Sequence, residues 1–359
     1  MRPFRILFLN GIRKRKFTTV PDNALPQAPA CSSSAEPTAR SASPSGGIAP
    51  ILTAAVLWGT TGTVSTFAPA GASAAAVGAA GLALGGLLLF LSSGAARALP
   101  RKCTSGERWL LFLGAIAVAG YPATFYPAVA RCGVAVATVI ALGSAPVFAG
   151  LLAWLTRQAK PTSRWACATL AAVTGCTALV LGPELSGSAA AADAGGLALA
   201  LLAGLSYAVY SLIGGKLIAS GHPSGAVVGV MFGGGALLIL PLLLDSDMHW
   251  LVTFRGAAVA LHLAMITTLV AYRLFGYGLR HTPAQTATTL TLAEPAVATV
   301  LGVAVLGEHL PVVSWSGLAV LAASLAILAF PQGVVRRPGR PPKAQAPDRG
   351  RRPTASGAK

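Results

Sequence analysis

Residues 284–306 read AQTATTLTLAEPAVATVLGVAVL, and the charged side chain in this apolar run is Glu294, which directly precedes Pro295. About 20 apolar residues in helical form cross the hydrocarbon core of a membrane. The run therefore predicts a membrane-spanning helix with a carboxylate near its middle. A charge at that depth is costly unless it is paired, hydrated or protonated, so Glu294 marks a candidate functional site.

A second apolar run, residues 133–155, lies about 150 residues earlier and carries Ala145-Pro146 near its middle. Two related halves made of membrane helices are typical of carriers that rock about a central site. Other landmarks recur in the same order, namely a basic residue before each run and a tryptophan that opens the segment closing each half: Arg131 and Arg280, Trp165 and Trp315.

The composition excludes an ordinary soluble domain for most of the chain. Hydrophobic residues make up 54% of the 359 residues, charged residues make up 10%, and the mean hydropathy is +0.68. Soluble domains carry roughly a quarter of their residues as charges. The 41 glycines fit helices that pack closely in lipid, where small side chains let backbones approach.

The net charge of +17 comes mostly from the two ends of the chain. Residues 1–47 hold seven basic and two acidic side chains, and residues 331–359 hold eight basic and one acidic. From Pro21 to Gly47 the chain has few large apolar residues, and we predict disordered basic tails over residues 1–47 and 331–359. Such tails are attracted to anionic lipid headgroups, and they show no pattern typical of specific nucleic-acid binding.

The cysteines predict no chemistry. Their count of five is odd and none has metal-ligand spacing, so we expect buried thiols and no metal site. We also expect no cofactor and no enzyme activity. The sequence contains no phosphate-binding loop and no His-Glu-x-x-His or Gly-x-Ser-x-Gly pattern.

Ten apolar runs are long enough to cross a membrane, and we predict a helix in each. The seventh is rich in glycine, which suits close helix packing. The predicted spans are Ile48–Pro69, Ala72–Ser93, Trp109–Ala128, Gly133–Leu155, Trp165–Leu181, Gly195–Leu217, Gly225–Leu244, Ala257–Leu279, Ala284–Leu306 and Val312–Phe330.

Loop charges predict how these ten helices are oriented. With a cytoplasmic N-terminus, the even-numbered loops lie inside and hold most of the basic loop residues, whereas the odd-numbered loops hold Arg131 and Arg255 and several acids. Both tails then lie in the cytoplasm. Five spans per half is an odd number, so the second half inserts upside down, which predicts an all-α membrane protein of two inverted five-helix repeats.

Short motifs along these helices resemble the drug/metabolite transporter superfamily, in particular its ten-helix members with two EamA-like repeats. The likeness covers roughly residues 48–330, and we assign residues 48–183 to the first repeat and residues 193–330 to the second. The motifs are Trp58-Gly59 in the first span, Pro146 in the fourth, Leu290-Thr291-Leu292-Ala293-Glu294-Pro295 in the ninth, then Gly307-Glu308 and Trp315-Ser316-Gly317.

The resemblance implies a carrier of the inner (plasma) membrane whose central cavity is lined by both repeats and whose cargo is a small polar metabolite or a drug. We expect an exporter. The first repeat departs from the pattern, because Ala145 stands opposite Glu294. Arg157-Gln158 stands opposite Glu308 in the same way. A mechanism that depends on two paired carboxylates is therefore not expected.

Glu294 and Arg273 are the charged candidates for the site. Glu294 is either a substrate-contacting or proton-carrying acid, or a protonated structural acid that bonds a neighbouring helix. Arg273 lies about 10 Å along its helix from Arg280, so its side chain can reach the inner headgroups. It can instead point inward to Glu294 or to a substrate carboxylate, and the sequence leaves both alternatives open.

Aromatic residues and prolines complete the candidate set. Tyrosine and tryptophan line the cavity or form belts at the membrane interface, and a position deep in the span favours the cavity. The two prolines remove helical hydrogen bonds near mid-membrane, and the freed carbonyls can bind ligand or flex during gating. The aromatic candidates are Trp58, Tyr121, Tyr207 and Tyr210, and the helix-breaking candidates are Pro146 and Pro295.

These observations predict a secondary transporter that works by alternating access about a mid-membrane cavity. Its partners would be a small-molecule substrate and membrane lipid, and a homodimer is left open. Two other classes also stay open. They are a membrane-embedded enzyme, whose usual motifs are missing, and a membrane receptor that does not transport.

The predicted orientation can be tested with single cysteines at positions 46 and 333 in a background without the native cysteines. Both should be labelled from the cytoplasmic side, because ten spans return the chain to the side where it began. The measurement is labelling by a membrane-impermeant maleimide in intact cells and in inverted vesicles. Labelling of the two positions from opposite faces would contradict the ten-span orientation.

Overall fold

The computed structural model describes residues 46–182, 193–307 and 309–330, and within these ranges the chain is helical without strands. The predicted ten-span all-α membrane fold is confirmed. Glu308 lies outside the described residues, and so do the two predicted tails except for Gly46 and Gly47. Within the described residues, ten helices are long and apolar enough to cross a membrane: α1 (Ile48–Ser65), α2 (Ala74–Leu91), α3 (Ser105–Cys132), α4 (Val134–Leu155), α5 (Ser163–Leu181), α6 (Ala194–Ala219), α7 (Ser224–Leu244), α8 (Phe254–Gly278), α9 (Ala284–Val305) and α10 (Val312–Ala329).

Polar caps define where several spans begin. Thr104 and Glu107 start α3 as a reciprocal pair, in which each side chain accepts a hydrogen bond from the other residue's backbone N–H. Asp193 caps α6 by accepting from the N–H of Gly196. A short helix that the sequence analysis did not predict, Gly94–Lys102, fills the α2–α3 connection. Because its last turn is basic, a search for apolar runs does not detect this helix.

The two halves interleave, and their contacts obey the repeat. α2 packs against α7 and α5 packs against α10, so equivalent helices of the two halves meet each other. Other contacts occur in related pairs: α3 with α6 matches α8 with α1, and α4 with α6 matches α9 with α1. Because each half has five spans, the second half crosses the membrane in the opposite sense, and the predicted inverted repeat is confirmed.

Both ends of the described bundle lie at the side that carries the even-numbered loops. Gly47, just before α1, lies so close to Thr282 in the α8–α9 loop that a Cβ at Gly47 would collide with the threonine Oγ1. The Arg164 guanidinium at the start of α5 donates to the carbonyls of Ile327 and Phe330 at the end of α10. The loop charges predict that this side faces the cytoplasm, and this orientation stays a prediction.

Glycines in α7 let helices of different halves approach closely. A Cβ at Gly229 would lie 2.9 Å from the Leu89 carbonyl oxygen in α2. A Cβ at Gly233 would lie 2.7 Å from the Phe90 Cβ. Side chains rarely tolerate such distances, so the glycine-rich face of the seventh span serves the contact between α2 and α7.

Gly59 makes a similar contact between α1 and α9. A Cβ at Gly59 would lie 2.7 Å from the Val297 Cβ and 3.0 Å from the backbone carbonyl oxygen of Glu294. Nothing lies within 4 Å of the equivalent Cβ position at Gly62. α1 therefore rests directly on the part of α9 that carries Glu294.

Gly59→Ala should lower the free energy of unfolding by about 1–3 kcal/mol, because the added methyl group forces α1 and α9 apart. Gly62→Ala, one turn along the same helix, is the matched control and should leave stability unchanged or raise it by up to about 1 kcal/mol. Thermal unfolding of the purified protein in detergent measures both. Equal melting temperatures for the two variants would contradict the close contact.

Candidate functional site

α9 is broken near the middle of the membrane. Its first part is Ala284–Leu290 and its second part begins at Ala293, with a turn at Thr291 and Leu292 between them. Pro295 has no backbone N–H, so the Thr291 carbonyl cannot receive the usual bond from four residues later. The Glu294 N–H donates to that carbonyl instead, at 2.9 Å, which tightens the turn.

Threonine hydroxyls contribute to this break. Thr288 and Thr289 each donate to the Gln285 carbonyl at 3.0 Å. Thr291 donates to the Thr288 carbonyl at 2.9 Å. Hydrogen bonds from a side chain to a carbonyl of the preceding turn bend a helix. They also give that carbonyl a donor, which lipid cannot provide. The threonines beside the break therefore bend the helix and also donate hydrogen bonds to its carbonyls.

Glu294 lies in the first turn of the second part of α9, where the positive end of the helix dipole favours a carboxylate. Its side chain is partly buried and keeps some accessible surface. Glu294 follows Thr291 by three residues across a tightened turn, in which residues three apart lie on the same side. Since the Tyr207 hydroxyl donates to Thr291, Glu294 lies on the side of α9 that meets α6.

Aromatic side chains from five helices converge beside the break, and we call them the aromatic cluster. Neighbouring ring centroids lie 4.0–6.4 Å apart, distances at which tilted and edge-to-face rings attract each other. Five of its seven side chains are buried, and Tyr121 and Tyr272 keep some exposed surface. Its members are Trp58, Tyr121, Tyr207, Tyr210, Phe232, Tyr272 and Phe275.

Two hydroxyl contacts organise the aromatic cluster. The Tyr207 hydroxyl donates to Thr291 Oγ1 at 2.8 Å. The hydroxyl oxygens of Tyr210 and Tyr272 are 3.3 Å apart. Since Thr291 forms the turn in α9, the first of these bonds connects the cluster directly to the break.

α8 contains a π-helical stretch, Leu263–Val270, on the side of the aromatic cluster. The Trp58 indole N–H donates to the Thr267 carbonyl within this stretch at 2.8 Å and so joins α1 to α8. π-helical stretches are frequent at functional sites because they re-aim side chains and carbonyls. The stretch reads LAMITTLV, and apolar periodicity does not distinguish it from an ordinary helix.

The structure brings five predicted site residues together, and their roles in binding or coupling stay predictions. Phe232, Tyr272 and Phe275 also belong to the cluster, although the sequence patterns did not predict them. The three-residue spacing of Tyr272 and Phe275 puts both on one helix face, and this signal could have found them. The five predicted residues at the site are Trp58, Tyr121, Tyr207, Tyr210 and Glu294.

Arg273 lies away from the aromatic cluster. Its guanidinium donates to the Ser92 carbonyl at 3.1 Å and to the Ser92 Oγ at 2.8 Å, and the residue is exposed. Ser92 follows the last residue of α2, at the side of the bundle that carries the even-numbered loops. The structure therefore favours the alternative in which the long arginine side chain extends toward the membrane surface.

Pro146 does not interrupt its helix. α4 is helical throughout Val134–Leu155, although the proline removes one backbone hydrogen bond. The residues before Pro146 include Ser144, which bonds back to Ala141, but no run of threonines like that of α9. The break expected in both halves is found in α9, and in α4 the loss of one bond is tolerated.

Three features together define a multi-pass membrane transporter fold: the inverted halves, the helix broken near mid-membrane, and the carboxylate beside the aromatic cluster. The sequence profile of the EamA-like transporter family matches residues 45–181 and 194–330, more than half of the chain. The chain belongs to the EamA-like transporter family, and the resemblance to the drug/metabolite transporter superfamily is confirmed.

Individual proteins agree with this assignment. The chain is 40% identical over 280 residues to the uncharacterized transporter YwfM of Bacillus subtilis (strain 168), which covers 78% of this chain and 92% of that protein. It is 35% identical over 138 residues to the threonine/homoserine exporter RhtA of Escherichia coli (strain K12), which covers 37% of this chain and 45% of that protein. A solved structure described as "Crystal structure of protein" has a TM-score of 0.66 at 21% identity, covers 79% of this chain and 96% of that chain, and supports the fold alone.

Tyr207→Phe should lower the free energy of unfolding by about 0.5–1.5 kcal/mol, because it removes the hydroxyl that donates to Thr291 at the break. Tyr277→Phe is the control, since Tyr277 is 44% exposed on α8 and the loss of its hydroxyl should have little effect. Thermal unfolding in detergent measures both variants. Equal stability of the two would show that the Tyr207 bond does not support the break.

Proposed function

We propose that this protein is a secondary carrier that moves a small polar metabolite across the membrane, with Glu294 contacting the solute or a coupling proton. The observation that carries the proposal is the position of Glu294 at the break in α9, next to Thr291, which receives the Tyr207 hydroxyl of the aromatic cluster. A carboxylate at that depth costs several kcal/mol unless it is paired, hydrated or protonated. A cargo with a positive charge would supply the pairing.

The cargo that we propose carries an ammonium group. Such a group pairs with a carboxylate and also lies favourably over aromatic faces, and the site offers both contacts. RhtA, which matches 37% of this chain, is named a threonine/homoserine exporter, and amino acids of that kind contain an ammonium group. This name supports export as the direction, and drug-like amines present the same chemistry.

The transport step that we propose is alternating access. Two inverted halves can rock against each other and open the cavity to each side in turn. The sequence lacks a phosphate-binding loop, so the energy would come from the gradient of the solute or of protons. Because Ala145 stands opposite Glu294, coupling to two protons is not expected, and facilitated exchange fits the arrangement.

The remaining assignments follow from the repeat and from the loop charges. We place the protein in the cell membrane with both basic tails in the cytoplasm. Residues 48–183 and 193–330 act as the two moving halves. YwfM and RhtA are both named as transport proteins, which supports a carrier over an enzyme or a receptor that does not transport.

Glu294→Gln should reduce counterflow of labelled threonine or a related amine by roughly 10- to 100-fold, since a hydrogen bond to a charged group contributes about 1.5–3 kcal/mol. The measurement uses purified protein in liposomes at several pH values and with an imposed pH gradient. Flux that follows the gradient in the wild type but not in the variant would assign the coupling proton to Glu294.

Asp245→Asn is the matched control, because it makes the same change from acid to amide at the exposed end of α7. It should transport like the wild type, and gel filtration should show both variants folded. Unchanged transport by Glu294→Gln at every pH would return Glu294 to a structural role. Flux that requires ATP, or ohmic current at channel rates, would contradict a secondary carrier.

A further inference from the structure

Three potential metal ligands meet at the side of the bundle that carries the even-numbered loops. Cys103 lies in the α2–α3 connection, Glu107 lies in the first turn of α3, and His222 lies in the α6–α7 loop. The His222 Nε2 is 3.0 Å from the Glu107 Oε1 and 3.9 Å from the Cys103 Sγ. All three ligand atoms lie within 4.8 Å of one another.

The donor set and its spacing fit one tetrahedral ion. Thiolate, imidazole and carboxylate are the protein ligands of zinc, with bonds of roughly 2.0–2.3 Å that place ligand atoms about 3.3–3.8 Å apart. The measured 3.0 Å and 3.9 Å bracket that range. Small rotations of the three side chains would bring their atoms to bonding distance.

The three residues are positioned independently of any ion, and solvent reaches two of them. Glu107 uses Oε2 to accept from the Thr104 backbone N–H at 2.8 Å and from the Thr104 hydroxyl at 2.9 Å, which leaves Oε1 directed at His222. The side chains of His222 and Glu107 are 18% and 24% exposed, whereas Cys103 is buried. An ion can enter from water and keep a water molecule as its fourth ligand.

We propose that Cys103, Glu107 and His222 bind a divalent cation of the zinc type. A thiolate and a carboxylate together balance the charge of such an ion. The 3.0 Å contact of Glu107 with His222 accounts for two of the residues, and the Cys103 thiol, 3.9 Å from the same imidazole nitrogen, is a third donor that this contact does not require.

A bound ion would fasten the two halves of the protein to each other. Cys103 and Glu107 belong to the first repeat, and His222 belongs to the second. The ion would therefore join the α2–α3 connection to the α6–α7 loop and stabilise the folded state by mass action. The proposal goes beyond the carrier function, because metal binding depends neither on Glu294 nor on transport.

Titration with Co²⁺ tests the proposal on the purified full chain in detergent, after removal of the affinity tag and of adventitious metals. Thiolate ligation of Co²⁺ gives a near-ultraviolet charge-transfer band, and tetrahedral coordination gives visible bands. The wild type should bind one Co²⁺ per chain and release it to Zn²⁺. Added Zn²⁺ should raise the melting temperature of the wild type.

Variants assign the ligands. Cys103→Ser should abolish the charge-transfer band, and His222→Ala should weaken Co²⁺ binding by at least roughly tenfold. Glu107→Gln should weaken binding too while it keeps the start of α3 intact, because glutamine also serves in a capping box. Cys167→Ser, at an exposed cysteine of α5, is the matched control and should bind like the wild type.

Three results would overturn the proposal: no stoichiometric binding by the wild type, a charge-transfer band that survives Cys103→Ser, or binding that is unaffected by His222→Ala. Each readout is independent of solute flux. A negative result here leaves the carrier function standing, and a failure of transport by the wild type leaves the metal site standing.

Discussion

A backbone that is broken inside a membrane must find all its hydrogen bonds within the protein, because lipid offers none. In this protein the break in α9 creates that demand at the depth where Glu294 lies. The Glu294 N–H donates to the Thr291 carbonyl, threonine hydroxyls donate to carbonyls of the preceding turn, and the Tyr207 hydroxyl donates to Thr291 Oγ1. The aromatic cluster covers this region because tyrosine and tryptophan combine an apolar body with a polar tip.

The repeat gives both halves the same framework, and the two halves use it differently. α4 and α9 are equivalent helices, yet α4 stays continuous through Pro146, whereas α9 breaks before Pro295. The acid is present in the broken helix alone, since α4 has Ala145 where α9 has Glu294. The repeat therefore gives the two halves equivalent helices, and Glu294 gives one of these helices a charged side chain.

The ten spans and the position of Glu294 within its span could be predicted from the sequence. Long apolar runs indicate segments surrounded by lipid, and a charged residue inside such a run is easily recognised. The direction of Arg273 could not be predicted, because sequence gives depth along a helix but not where a long flexible side chain points. Tyr272 and the π-helical stretch depend on helix rotation and hydrogen-bond register, which composition does not encode. Cys103 and His222 are 119 residues apart and meet only through the fold.

α5 and α10, equivalent helices of the two halves, touch at Gly175 and Gly317. A Cβ at Gly175 would lie 2.8 Å from the Gly317 carbonyl oxygen, and a Cβ at Gly317 would lie 2.7 Å from the Gly175 carbonyl oxygen. Like α2 with α7, the pair joins helices that correspond in the repeat, so each of these contacts crosses from one half to the other. The loop charges predict which of the two orientations these inverted halves take in the membrane.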